Sequence, residues 1–114
     1  MAKPAVEILQ GTLDMLILKA VSLGRLHGYG ILVRIQQISK DALQIPQGSL
    51  YPALYRLERR GLLKAEWGES ENNRRSKYYQ LTSAGRKQLE SESAHWDRLT
   101  EAIGDVMKTR SSEI

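Results

Sequence analysis

Apolar residues recur at helical spacing along much of the chain. Between Val6 and Leu23 they follow steps of three and four residues and form one wide apolar face, which predicts a first helix over this segment. Met15 and Leu18 lie on the other side of the helical wheel, so this helix is apolar nearly all round. A helix of that kind packs against two partners. We expect its own core on one side and a second copy of the chain on the other.

Two more helices are predicted in the first half of the chain. One opens at His27 and runs to about Ser39, and the next runs from Gln47 to Arg60 before Gly61 ends it. The apolar residues that should face the core in these two helices are Ile31, Leu32, Ile35, Ile38, Leu50, Leu54 and Leu57.

A β-hairpin is predicted after the third helix. Leu62–Trp67 and Lys77–Leu81 alternate between apolar and polar residues, as short strands do. Residues 68–76 between them are polar and rich in turn formers, which favours a loop. A further brief strand is predicted at 43–45, in the connector before the third helix.

The last third of the chain predicts one long helix. Thr82 is a good N-cap for a helix from Ser83 to about Lys108. Its apolar stripe covers fewer than three clean heptads, which favours packing on a partner subunit over an autonomous coiled coil. The apolar positions of the stripe are Leu89, Trp96, Leu99, Ile103 and Val106.

Together these elements predict a mainly α fold with a small β-hairpin. We interpret residues 1–82 as a winged helix-turn-helix domain whose N-terminal helix contributes to a dimer. Residues 83–110 are predicted to form a C-terminal dimerisation helix, and residues 111–114 a disordered tail.

Charge adds to this interpretation through its placement. Lys and Arg outnumber Asp and Glu by 17 to 13, giving a net charge of +4 and a pI near 9.5. The excess is mild, but basic residues concentrate in the third helix and the hairpin, whereas acidic residues are denser in the last third. The absence of cysteine excludes disulfides and fits a reducing cytosol. No apolar run is long enough for a membrane span, so we predict a cytoplasmic protein without membrane association.

A nucleic-acid interface is predicted on the outward face of the third helix and at the hairpin tip. Arginine, serine and glutamine can bond base edges in a major groove, and hydroxyl groups can bond phosphates. The competing interpretation is that these are ordinary solvated positions of a surface helix and a turn. The predicted DNA-binding residues are Tyr29, Gln47, Gly48, Ser49, Tyr51, Pro52, Tyr55, Arg56, Arg59, Arg74, Arg75 and Lys77.

Catalysis is not indicated by the residues present. His27 and His95 are the only histidines, and neither has a second ligand at metal spacing. The glycines of His27–Gly30 do not match a phosphate-binding loop. We therefore expect no enzyme activity, no metal and no cofactor, and interpret His27 as a helix-entry residue.

Trp96 has two interpretations. An aromatic residue at heptad spacing usually packs in a core or a dimer interface, yet the flat indole can also stack on a planar ligand. Both can hold if two copies meet near a dimer axis. The predicted dimer interface comprises Met15, Leu18, Leu89, Trp96, Leu99, Ile103 and Val106, and Trp96 is also the predicted effector contact.

The chain also resembles the PadR family of bacterial transcriptional regulators over about residues 8 to 90. Several separate motifs occur in the family's order: residues 13–18, 27–31, 48–58, 61–63 and 75–82, and Gly85. The resemblance implies a winged-helix dimer that binds operator DNA, usually as a repressor that small aromatic or drug-like effectors relieve. The single closing helix is similar to that of the short subfamily, in which this helix and the first one build the dimer.

The combined prediction is a homodimeric, sequence-specific regulator of transcription, acting as a repressor on a palindromic operator in double-stranded DNA. A winged-helix domain that binds another protein through its third helix is the alternative. The two differ in salt dependence, because phosphate contacts release counterions and protein contacts need not.

Overall fold

The computed structural model describes residues 11–69 and 74–114. The described residues form four α-helices, three β-strands and one 3-10 turn. In chain order they are α1 (Thr12–Ser22), β1 (Leu26–His27), α2 (Gly28–Ile38), α3 (Gln47–Arg59), β2 (Leu63–Glu69), β3 (Arg75–Leu81), α4 (Ser83–Lys108) and the 3-10 turn Ser111–Glu113. This matches the predicted mainly α fold with a hairpin.

The core lies where α1, α2 and α3 meet one face of the sheet. The three leucines predicted for the inner side of α3 are essentially fully buried, which confirms the helical phase read from the sequence. Burying large aliphatic side chains in this way is the main force that holds the helices together. The largest fully buried side chains are Ile17, Leu18, Ile31, Leu50, Leu54, Leu57 and Leu63.

Two predictions of side-chain direction were wrong. Leu18 is 0% exposed and packs inside its own chain, so it cannot contact a second copy while the fold is intact. The reason is that α1 is covered by α2, α3, α4 and β3, which leaves little of its surface for another subunit. Ile38 is the last residue of α2 and is 63% exposed, so the buried stripe of that helix ends at Ile35. Residues 6–10 of the predicted first helix lie outside the described residues.

The sheet contains one strand that was not predicted. Its order is β1-β3-β2, and β1 pairs antiparallel with β3 through Leu26 opposite Tyr79. A strand of two residues is too short to show an alternation of apolar and polar positions in the sequence. β1 is a strand because it pairs with the free edge of β3. The hairpin strands β2 and β3 are each longer than predicted and pair from Leu63 opposite Leu81 to Glu69 opposite Arg75. The predicted strand at 43–45 reduces to an isolated bridge at Leu43.

The start of α4 is fixed to the turn after α3. Thr82 caps the helix by accepting the backbone N–H of Gly85 at 3.0 Å, as predicted. Its hydroxyl also donates to the carbonyl of Gly61 at 2.6 Å, and its N–H donates to that of Leu62 at 3.2 Å. Leu89, which was predicted for the dimer stripe, is half-buried and packs on the core of its own chain. Beyond it Trp96 is half-buried, whereas Leu99, Ile103 and Val106 are exposed. Residues 111–113 form a 3-10 turn where disorder was predicted.

Candidate nucleic-acid interface

An exposed ridge runs along the outward side of α3. Gly48, Pro52, Tyr55 and Arg59 follow each other at steps of four, three and four residues, so they lie on one side of the helix, and all four are exposed. The space around Gly48 is open, because a Cβ built there would meet no atom within 4 Å. Arg59 lies over the Tyr55 ring, 5.6 Å from its centroid, and donates to its hydroxyl at 3.3 Å. The ridge therefore presents a stacked tyrosine and arginine to solvent.

Ion pairs hold both flanks of α3. On one flank, Arg56 Nη2 lies 3.2 Å from Asp14 Oδ1 of α1, and Arg60 Nη1 lies 3.9 Å from Asp14 Oδ2. On the other flank, Lys77 of β3 donates to Glu58 at 3.2 Å. Two predicted DNA-binding cations, Arg56 and Lys77, are thus paired within the protein. Asp14 and Glu58 were not recognised from the sequence, because no local pattern reports contacts between residues so far apart.

The first turn of α2 lies beside the start of α3. A Cβ at Gly28 would stand only 2.9 Å from Tyr51 Cε1, so glycine is needed for this close approach of the two helices. Tyr51 is still 51% exposed, and Tyr29 is 60% exposed. His27 accepts the N–H of Gly30 at 3.0 Å and caps α2, which confirms its interpretation as a helix-entry residue.

The wing comprises β2, β3 and the residues between them, of which 70–73 lie outside the described residues. Arg75 stacks on the exposed ring of Trp67 at 5.0 Å. Side chains alternate along a strand, so Arg75 shares a face of β3 with Lys77, whose ion pair turns that face toward α3. Arg74 is exposed at the start of β3.

The opposite face of the wing carries a cation that the sequence did not indicate. Arg25 stacks on Tyr78 at 4.5 Å, and the Tyr78 hydroxyl donates to the carbonyl of Glu69 at 3.0 Å. A Cβ at Gly68 would lie 3.1 Å from the Tyr78 ring, so glycine lets this ring approach β2 closely. Arg25 escaped prediction because it precedes β1, the strand that only the tertiary structure reveals.

The cations of this surface therefore fall into two classes. Arg59, Arg74 and Arg75 make no ion pair with any residue in ranges 11–69 and 74–114, and their charges face solvent. Arg56 and Lys77 are partly neutralised by carboxylates.

Between α3 and the wing, burial raises the pKa of Tyr79, and the nearby Lys77 ammonium lowers that pKa in part. Tyr79 is 7% exposed and belongs to the core rather than to the interface.

A helix with an exposed ridge, followed by a β-hairpin that carries exposed arginines, is the arrangement of a winged helix. The comparisons with known proteins agree with this arrangement. A profile of the PadR-like family of transcriptional regulators matches residues 17–91. The chain belongs to this family. Its members regulate transcription by binding DNA, so the chain is a DNA-binding regulator and not an enzyme.

Individual relatives cover nearly the whole PadR-like chain. An uncharacterized protein X of Lysinibacillus sphaericus is 30% identical over 102 residues, covering 90% of this chain and 94% of that one. A transcriptional regulator from Clostridium thermocellum superposes with a TM-score of 0.79 at 29% identity, over 87% of this chain and 96% of its own. A PadR family regulator from Eggerthella lenta gives a TM-score of 0.73 at 31% identity, over 89% and 86%.

The PadR-like chain also has an open groove of about 470 Å³ between the start of α1 and the middle of α4. Met15 and Trp96, both predicted for the dimer interface, line it. Glu92 accepts from Gln88 through Oε1 at 2.9 Å, whereas its buried Oε2 has no hydrogen-bond partner among the described residues. The residues that line the groove are Gly11, Thr12, Met15, Ser91, Glu92, His95, Trp96 and Leu99.

No group of three or more His, Cys, Asp or Glu side chains is placed to hold a metal ion in the described part of the chain. None of the helices described here combines the length and apolar character that crossing a membrane would require.

Proposed function

We propose that this PadR-like regulator is a homodimeric repressor that reads a palindromic operator. The observation that carries the proposal is the exposed ridge of α3 beside a wing in which Arg74 and Arg75 form no ion pair with a described residue. In this proposal the ridge enters the major groove, where Arg59 bonds base edges and Ser49, Tyr51 and Tyr55 bond phosphates. Arg74 and Arg75 then contact the backbone or the minor groove on the neighbouring side.

The exposed part of α4 supports the dimer. Leu99, Ile103 and Val106 are 41%, 52% and 72% exposed and lie on one stripe of a helix that extends past the winged-helix core. Such a stripe is stabilised by an isologous contact with the same stripe of a second copy. A two-fold axis at this α4 contact would place one copy of α3 in each half-site of the operator, with the half-sites about 34 Å apart.

Effector control is proposed at the groove that contains Trp96. With a volume of about 470 Å³, the groove has room for a planar aromatic molecule, which can stack on the indole. It is bounded by α1 and by α4, the helix that carries the proposed dimer stripe. A ligand there relieves repression only if it binds more tightly to the dimer geometry that does not fit the operator.

Genomic fragments retained by the protein, followed by binding titrations on the recovered site, test the DNA-binding proposal. Arg59→Ala should reduce discrimination between the recovered site and a scrambled site. Arg75→Ala should weaken both alike and flatten the plot of log affinity against log salt by about one unit. Arg98→Ala, which removes the same charge from exposed α4, is the matched control and should have little effect. Binding that is insensitive to salt, or no retained fragment, would overturn the proposal in favour of a protein-binding winged helix.

A further inference from the structure

Asp14 is placed to neutralise two arginines at the C-terminal end of α3, the helix proposed to enter the major groove. Its two carboxylate oxygens face two different guanidinium groups, Arg56 at 3.2 Å and Arg60 at 3.9 Å. Asp14 belongs to the first turn of α1, whereas Arg56 belongs to the last turn of α3 and Arg60 is the C-cap residue of that helix. The contact therefore joins two helices that are distant in sequence, and it does so at the surface.

The two arginines are on a flank of α3 and not on its outward ridge. They follow each other at a spacing of four residues, so they share one side of the helix. When a helix lies in a major groove, its ridge meets base edges and its flanks face the phosphate backbones that form the groove walls. Arg56 and Arg60 thus have the position and the chemistry for phosphate contacts, since guanidinium groups bind carboxylate and phosphate in the same forked geometry.

We propose that Asp14 is an internal competitor for DNA phosphate, which limits sequence-independent binding by holding Arg56 and Arg60. The inference rests on the proposed DNA-binding role of α3. A phosphate that uses the Nη group facing Asp14 must displace the carboxylate, and the negative charge of Asp14 repels a phosphate that approaches either arginine from another side. Phosphate contacts carry no sequence information. When they are suppressed, a larger fraction of the DNA-binding free energy comes from base contacts made by the ridge.

Exposure makes this exchange feasible. The Arg56 and Arg60 side chains are 55% and 51% exposed, so a phosphate can reach them without unfolding of α1 or α3. Exposed ion pairs of this kind contribute little to stability, so removing the Asp14 charge should leave the fold intact and both guanidinium groups available to phosphate. The Lys77–Glu58 pair differs, because its side chains are less exposed, at 38% and 33%, and it joins the wing to α3. It serves to position the wing.

The test compares wild-type protein with Asp14→Asn on a random-sequence duplex, by fluorescence anisotropy over a range of KCl concentrations. The substitution removes the charge with almost no change in shape. Each arginine that gains a phosphate contact should steepen the slope of log affinity against log salt by about 0.9, and raise affinity about fivefold near physiological salt. We expect a slope change of about one to two. Asp14→Ala, measured beside it, should give the same result, which keeps the test valid if one variant folds poorly.

Two controls separate local release from a general change of charge. Glu101→Gln removes one negative charge from an exposed site on α4 and should leave the slope unchanged. In an Arg56→Gln/Arg60→Gln background, Asp14→Asn should have no effect on the slope, because the arginines it releases are gone. An unchanged slope for both Asp14 variants, or a gain that persists without the arginines, overturns the inference while the DNA-binding proposal stands. Wild-type protein that binds no duplex in a salt-dependent way overturns both.

Discussion

Gly85 is the position where the smallest substitution should have the largest effect on stability. It lies in the first turn of α4, directly over the turn that joins α3 to β2. A Cβ added there would overlap the carbonyl oxygen of Leu62 and stand 3.1 Å from its carbonyl carbon and 3.2 Å from Leu81 Cδ2. That carbonyl cannot simply swing away, because it accepts the N–H of Thr82 at 3.2 Å. Gly85→Ala must therefore push α4 away from the winged-helix core.

The magnitude follows from two opposing terms. Overpacking of this kind costs about 1–3 kcal/mol, and contact with backbone places the cost at the upper end. Alanine regains up to about 1 kcal/mol through its better helix propensity. The net loss in the free energy of unfolding is about 2 kcal/mol, which corresponds to a fall in Tm of roughly 10 °C for a domain of this size.

Thermal unfolding followed by circular dichroism measures this effect, at one fixed protein concentration because Tm depends on concentration in an oligomer. Gly104→Ala in the same helix is the matched control. A Cβ there meets nothing within 4 Å, so only the propensity gain remains and Tm should rise by a few degrees. A Gly85→Ala protein that melts with the wild type, while Gly104→Ala gains stability, would refute the close approach of α4 to the Leu62 carbonyl.

Three further predictions concern the dimer, the groove and the core. Sedimentation should show a dimer for the wild type and a monomer for the double variant Leu99→Glu/Ile103→Glu. A wild-type monomer at micromolar concentration would contradict the dimer. A double variant that remains dimeric would show that the interface lies elsewhere on the protein. Planar aromatic compounds should quench Trp96 fluorescence. Trp96→Ala should abolish this quenching and leave the fluorescence of the exposed Trp67. If no compound in a varied panel causes quenching that depends on Trp96, a closed and packed interface would be favoured. Because burial raises the folded-state pKa of Tyr79 above its ordinary value of 10.0, its contribution to stability is complete below about pH 10 and is lost as pH rises through the folded-state pKa. Tyr79→Phe should therefore make unfolding less sensitive to pH above 10 in urea titrations, and an unchanged alkaline profile would contradict this.

The helices of this protein, the hairpin and the Thr82 cap could be predicted from the sequence because each depends on neighbours along the chain. The buried leucines of α3 recur every three or four residues, and a helix must place such residues on one side. The exposed ridge follows from the same periodicity, since residues on the opposite side must face solvent. Thr82 accepts the N–H of a residue only three positions ahead, which is a local signal.

Only the tertiary structure decided which groups meet across the chain. β1 exists because β3 offers an edge, and Leu18 is buried because several elements cover α1 on the side that the sequence assigned to a partner. Arg56 meets Asp14 across 42 residues of sequence, so the sequence marked the arginine as a DNA contact without indicating the carboxylate that holds it. Periodicity fixes the direction of a side chain relative to its own helix. What that side chain contacts depends on how the helices pack, and packing is a property of the whole chain.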